Sequence, residues 1–299
     1  MQETTNAQAT QPVKDVYALV TERIVAQLEK GVVPWRQPWI DAGMPRNLVS
    51  GKAYRGLNLI LLSMLGYEQN LFLTFKQVND LGGKVRRDEQ GHMVTFWKQP
   101  EKKEAGEELV EDAERRRSIL RYYMVFNISQ CELPEKYQLP EIEPVANLVC
   151  EAVYENMPNK PPIRFKEQQA YYNPLQDYIN MPKQKSFESN DAYYATLFHE
   201  LMHSTGHYSR CNRKDLIEMS EFGSDAYSNE ELTAEIGACY LQQLAGIPSQ
   251  FEQSAAYIQN WLLKLKFDKR LIFTAAGNAQ KGVDYILGVQ GDTDEPKTD

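Results

Sequence analysis

Between Lys14 and Gly31 the apolar residues Val16, Leu19, Val20, Ile24 and Leu28 recur on one side of a 3.6-residue turn, which predicts a helix ending at Gly31. VPWRQPWIDAGMPRN follows, with three prolines and two tryptophans. It has too much proline for a helix and too much aromatic surface for a plain linker, so it reads as an ordered loop packed on its domain. A second helix is expected over 57–65. The pattern then shortens to strand-like runs, FLTF (72–75), KVRR (84–87) and HMVTFW (92–97), broken by a short helix and a Gly-Gly turn. A charged insertion (101–118) precedes another strand candidate, ILRYYMVFNISQC.

Residues 131–144 contain Pro134, Pro140 and Pro144 and read as a linker. Beyond them the helical period dominates. Helices are expected over 145–157, 189–206, from near Asn229, over 251–267 and in a final segment after Asp268. Two or three short strands lie between the first two, in IRFKE and AYYNPLQDYINMP. The pattern predicts an α+β chain of two domains: a small mixed α/β domain over 13–130 and a helix-rich domain over 145–287. Polar ends, 1–12 and 288–299, are expected to be loose.

The 299 residues suffice for two domains. Even the most apolar run, LNLILLSMLG (57–66), is too short and too polar for a membrane span, and MQETTNAQATQP lacks the layout of a signal peptide. Cys131, Cys150, Cys211 and Cys239 form no CxxC and read as reduced thiols in a cytoplasmic protein. The net charge of -8 is unevenly spread. Val13–Lys98 holds 12 basic against 8 acidic residues, whereas Cys131 to the end holds 15 against 25. Such a split fits two domains with different partners.

Three of the four histidines fall in HELMHSTGH (199–207). On a helix, His199 and His203 share a face and can present ring nitrogens to one ion. Glu200, about 100° round from His199, can reach a water there as a general base. The third ligand is less direct. His207 lies about 12 Å along the axis from His199 if the helix continues, too far for the same ion. NEELTAE (229–235) offers carboxylates, with Asn229 as N-cap and Glu231 and Glu235 four apart on one face. Glu231 is the first choice, Glu230 and Glu235 are alternatives, and His207 comes last. Glu235 and His207 then suit an orienting role beside the ligands. Two imidazoles, a carboxylate and an open position favour a divalent ion, zinc first and manganese second, and hydrolysis by metal-bound water.

HELMHSTGH, SRCNRKD (209–215) and FGSDAYSNEELTAEIGA (222–238) resemble the zincin-like metallopeptidase domain of the ArdC-type antirestriction proteins. VPWRQPW (33–39), PRNLVSGKAYRGLNLILL (45–62) and TFKQVNDLGGKVRRDEQGHMVTFW (74–97) resemble that family's N-terminal domain, and a related domain precedes some plasmid primases. The resemblance implies an N-terminal domain that binds single-stranded DNA and protection of incoming plasmid DNA from host restriction during conjugation. It also implies His199, His203 and a glutamate of NEELTAE as metal ligands, with Glu200 as the base. An active protease aimed at a DNA-associated or restriction-system protein is the alternative.

Single-strand binding calls for stacking rings and backbone-tracking cations. Trp35, Trp39, Tyr54, Phe75 and Trp97 are candidates for the first, each competing with a place in the core. Lys52, Arg55, Arg86, Arg87, Arg36 and Lys84 are candidates for the second, and those beside turns are the better ones. The glycines at 82 and 83 lack the lysine and hydroxyl of a phosphate-binding loop.

Overall fold

The computed structural model describes residues 15–36, 43–98, 118–137, 149–217, 225–247 and 255–289. The expected loose N-terminus, all of the charged insertion but Ser118, the second half of the linker (138–144), the tail beyond 289 and Trp39 lie outside the described residues.

The N-terminal half is built on a four-stranded sheet. Helix α1 (Val16–Leu28) is capped by Asp15, whose Oδ1 accepts from the Tyr17 amide at 3.0 Å. Strand β1 (Arg46–Asn47), helix α2 (Gly56–Ser63), strand β2 (Leu71–Thr74) and helix α3 (Phe75–Asp80) follow. The FLTF run stops being a strand at Thr74, because Thr74 and Gln77 form a capping box that starts α3. Then come β3 (Lys84–Val85), β4 (His92–Lys98), β5 (Ile119–Asn127) and β6 (Cys131–Glu132). The main sheet runs β1-β2-β5-β4, with β4 and β5 an antiparallel pair from His92↔Val125 to Lys98↔Ile119.

Two residues expected in the linker belong to this half: Cys131 and Glu132 pair with Val85 and Lys84. Gly83 permits that approach, since a Cβ there would lie 2.6 Å from the Glu132 carbonyl oxygen.

The second half opens with α4 (Cys150–Glu155) and a small sheet of β7 (Ile163–Arg164), β8 (Tyr171–Asn173) and β9 (Tyr178–Asn180), ordered β7-β9-β8. Helices α5 (Asn190–Thr205), α6 (Lys214–Ile217), α7 (Asp225–Leu244), α8 (Ala255–Phe267) and α9 (Leu271–Ile286) complete it. Helix α7 begins four residues before Asn229, so Asn229 is no cap but an interior residue whose carbonyl accepts from Thr233 Oγ1. The architecture is the α+β arrangement expected, a small mixed half followed by a helix-rich one.

The periodicity does not disclose how the two halves meet. The sheet keeps two small clusters of its own, one around Phe72, Val94 and Val125 and one around Leu73, Val78 and Ile128. The large core is shared. Val20, Ile24 and Leu28 of α1, Trp35, and Leu57 and Leu61 of α2 join Leu201, Ile236, Tyr240, Trp261, Leu265 and Ile272 in one cluster. Trp35 is 2% exposed and meets Trp261 edge-on at 5.3 Å. Tyr240 Oη donates to the Gly56 carbonyl at 2.9 Å, and Thr21 Oγ1 to that of Lys269 at 2.8 Å. Among the described residues, no helix is long and apolar enough to cross a membrane.

Because the core is shared, W35A should cost about 3–5 kcal/mol, the usual range for emptying a large aromatic site. Circular dichroism and tryptophan fluorescence should report one common, lowered melting transition. Two separated transitions in the wild-type chain would show that the halves fold independently.

Candidate metal centre

Helix α5 carries HELMHST to Thr205 and ends at Gly206. Ser189 caps its start, accepting from the Ala192 amide at 3.1 Å. Its length is largely buried: Leu197, Phe198, Leu201 and Met202 fill the core, which leaves His199 and His203 facing α7. Gly206 is needed for close packing, because a Cβ there would stand 2.9 Å from Leu216 and 3.0 Å from an Arg213 nitrogen.

The two imidazoles converge with one glutamate. His199 Nε2 and His203 Nε2 lie 3.1 Å apart, and Glu231 reaches them at 3.5 and 3.4 Å with its two oxygens. One donor atom from each residue lies within 4.8 Å of the other two, as a single ion requires. This donor set of two imidazoles and a carboxylate suits a divalent metal. Glu200, the next residue after His199, is buried.

The neighbouring glutamates do other work. Glu230 is fully buried and approaches the far nitrogen, His203 Nδ1, at 3.2 Å. Arg213 grips the same carboxylate, Nε to Oε2 at 2.8 Å and Nη2 to Oε1 at 2.5 Å, and also donates to the Met202 carbonyl at 2.7 Å. Glu235 Oε1 accepts from Arg36 Nε at 2.6 Å, and its Oε2 lies 3.9 Å from His199 Nδ1. His207 is not part of the cluster. Its Nδ1 sits 2.8 Å from Ser209 Oγ and 4.0 Å from Asp177, because the chain turns away after Gly206.

The electrostatics follow from these contacts. Burial alone would disfavour a charged His203, but hydrogen bonds and charges from Glu230 and Glu231 outweigh it and lift its pKa to about 10. Burial would likewise raise Glu231, yet the two histidines hold it far below the usual carboxylate range. Arg213 outweighs burial at Glu230 in the same direction.

Several DNA-binding candidates are placed elsewhere. Trp35 belongs to the core, so its ring offers no stacking surface, and Tyr54 is buried as well. Arg36 is spent on Glu235, with a side chain only 11% exposed. Arg55 pairs with Asp284 of α9 at 2.5 Å. Lys52, Lys84, Arg86 and Arg87 are exposed, and Lys84 pairs with Glu132 at 2.9 Å. Phe75 and Trp97 are exposed, whereas Trp39 lies outside the described residues. Arg213 lies within SRCNRKD, but spacing gives it no role; its pairing with the buried Glu230 emerges only in the fold.

Residues 14–126 match the model of the N-terminal domain of the anti-restriction factor ArdC, and 151–278 match that of a zincin-like metallopeptidase. The Mn(II)-bound crystal structure of the antirestriction ArdC protein from plasmid R388 is 40% identical, covers 92% of this chain and 97% of its own, and superposes with a TM-score of 0.74. Its metal-free form gives 39% identity, 93% and 100% coverage and 0.73. Protein y4eC of Sinorhizobium fredii is 36% identical over 93% of each chain. DNA primase TraC of Escherichia coli is 33% identical over 94% of this chain, which spans only 20% of that primase. The chain belongs to the family of ArdC antirestriction proteins.

Proposed function

We propose that this protein binds single-stranded DNA through its N-terminal half and shields incoming plasmid DNA from host restriction in the cytoplasm of a conjugation recipient. On this reading its C-terminal half carries a one-metal hydrolytic centre. The observation that carries the second part is the convergence of His199, His203 and Glu231 beside the buried Glu200. Zinc is the ion this donor set favours. Manganese, the ion named for the R388 protein, is the second choice. When bound, such an ion supplies Lewis acidity and lowers the pKa of water.

The chain's own residues divide the remaining work. Glu231 and the two imidazoles hold the site, and Glu230, fixed by Arg213, orients the His203 ring from its far nitrogen. Glu200 is the carboxylate that would take a proton from water and return it to a leaving amine. Arg86 and Arg87, at the turn after β3, and Lys52, after β1, supply cations to the DNA, with Phe75 and Trp97 as stacking surfaces. The alternative is a protease aimed at a DNA-associated or restriction-system protein, favoured by Glu200 and by the match to metallopeptidases. In the first reading the restriction machinery is an indirect partner.

Three outcomes test these assignments. E231A should abolish stoichiometric metal retention in elemental analysis, whereas E230Q should keep the ion but weaken its binding about 10- to 100-fold. R86A/R87A should lower affinity for an oligothymidylate, and each lost phosphate contact should make the salt slope shallower by about 0.7. Unchanged binding removes both arginines from the interface. Folded E200A should still protect plasmid DNA in a conjugation assay if coating is the mechanism. Loss of protection with DNA binding intact would favour the protease.

A further inference from the structure

Glu235 is buried on α7, and its two oxygens face different parts of the molecule. Two Arg36 donors, Nε and Nη2, converge on Oε1. Oε2 is left on the side of His199, 3.9 Å from its Nδ1, a separation that a small side-chain rotation or one bridging water closes. Arg36 is itself pinned. The preceding Trp35 is locked against Trp261, and its carbonyl accepts from Gln243 Nε2 of α7 at 3.2 Å.

We infer that Arg36, a residue of the N-terminal half, is a positioning residue of the metal centre. By taking Oε1 it turns Oε2 of Glu235 toward His199 Nδ1 and so fixes the ring that presents Nε2 to the ion. His203 has a related but tighter arrangement: Arg213 binds both oxygens of Glu230, and Oε1 of that carboxylate lies 3.2 Å from His203 Nδ1. Each histidine of the pair therefore has a carboxylate on the side of its far nitrogen, at 3.2 Å for His203 and 3.9 Å for His199, and an arginine behind that carboxylate. One arginine comes from the C-terminal half and the other from the N-terminal half. This inference rests on the metal reading of the site.

A guanidinium that merely neutralised a buried carboxylate would affect stability and leave metal affinity alone. Lysine would then replace it well, because the charge is kept. Positioning needs the two-donor fork, which lysine lacks. Metal-stripped, full-length wild type, R36K, R36Q and R36Q/E235Q should be titrated with Zn(II) and Mn(II) against a chromophoric chelator, with folding checked by circular dichroism. The double variant leaves no uncompensated buried charge, which guards against simple unfolding. Wild type should take one ion per chain, R36Q should bind about 10- to 100-fold more weakly, and R36K should fall between. The double variant should lose little more than R36Q, since the two residues act through one chain of contacts. Wild-type affinity in folded R36Q/E235Q overturns the inference alone. A wild type that takes no ion overturns the metal reading and this inference with it.

Discussion

Burying three carboxylates on one helix constrains everything around α7. Glu230, Glu231 and Glu235 are all largely withdrawn from water, and a buried charge without a partner is strongly unfavourable. Each finds its partner in a different stretch of chain. Arg213, beyond the end of α5, holds Glu230; the imidazoles of α5 hold Glu231; and Arg36, before the sheet, holds Glu235. Removing one member of such a pair costs about 3–5 kcal/mol. The placement of α5, α7 and the Pro34–Arg36 turn is therefore tied to the same interactions that form the candidate centre.

Those charges can pair only because the helices approach closely. Met202 of α5 lies where a Cβ on Gly237 of α7 or Gly282 of α9 would stand, 2.2 and 2.6 Å from its terminal methyl. Two glycines and one thioether thus set the spacing of three helices. At that spacing, consecutive residues of α7 can address both nitrogens of one ring: Glu231 takes His203 Nε2 and Glu230 takes Nδ1. Side chains on adjacent positions of a helix diverge by about 100°, so a single imidazole must be gripped at the seam between α5 and α7.

What was legible in the sequence follows from what is local. The HExxH spacing placed two imidazoles on one helical face without reference to the fold, and a helix bearing several glutamates pointed to Glu231. The start of α7 was misread because Asn229 is a good cap by composition, whereas the helix runs back to Asp225. The roles of Arg213 and Arg36 depend on contacts across 17 and 199 residues, for which no periodicity exists. Trp35 could be a core residue or a stacking ring on sequence alone. Its position against α8 decides for the core.

The charge split between the halves also takes on a different meaning. A basic first half and an acidic second half fit two domains with different partners, yet part of that asymmetry is satisfied internally. Arg36 and Arg55, both candidates for the DNA backbone, reach across to Glu235 and Asp284 instead. Pairs of the opposite sense, Lys266 with Glu29 and Lys269 with Asp15, close the same boundary. The halves are thus complementary to one another before either meets a ligand. Fewer cations remain for the proposed DNA contact, and they sit at turns on the sheet side of the molecule. With a small number of phosphate contacts, electrostatics alone gives weak binding with a shallow salt dependence. On the proposed DNA-binding role, exposed rings such as Phe75 and Trp97 are the groups left to add to the hold on DNA, since every base offers a face on which a ring can stack.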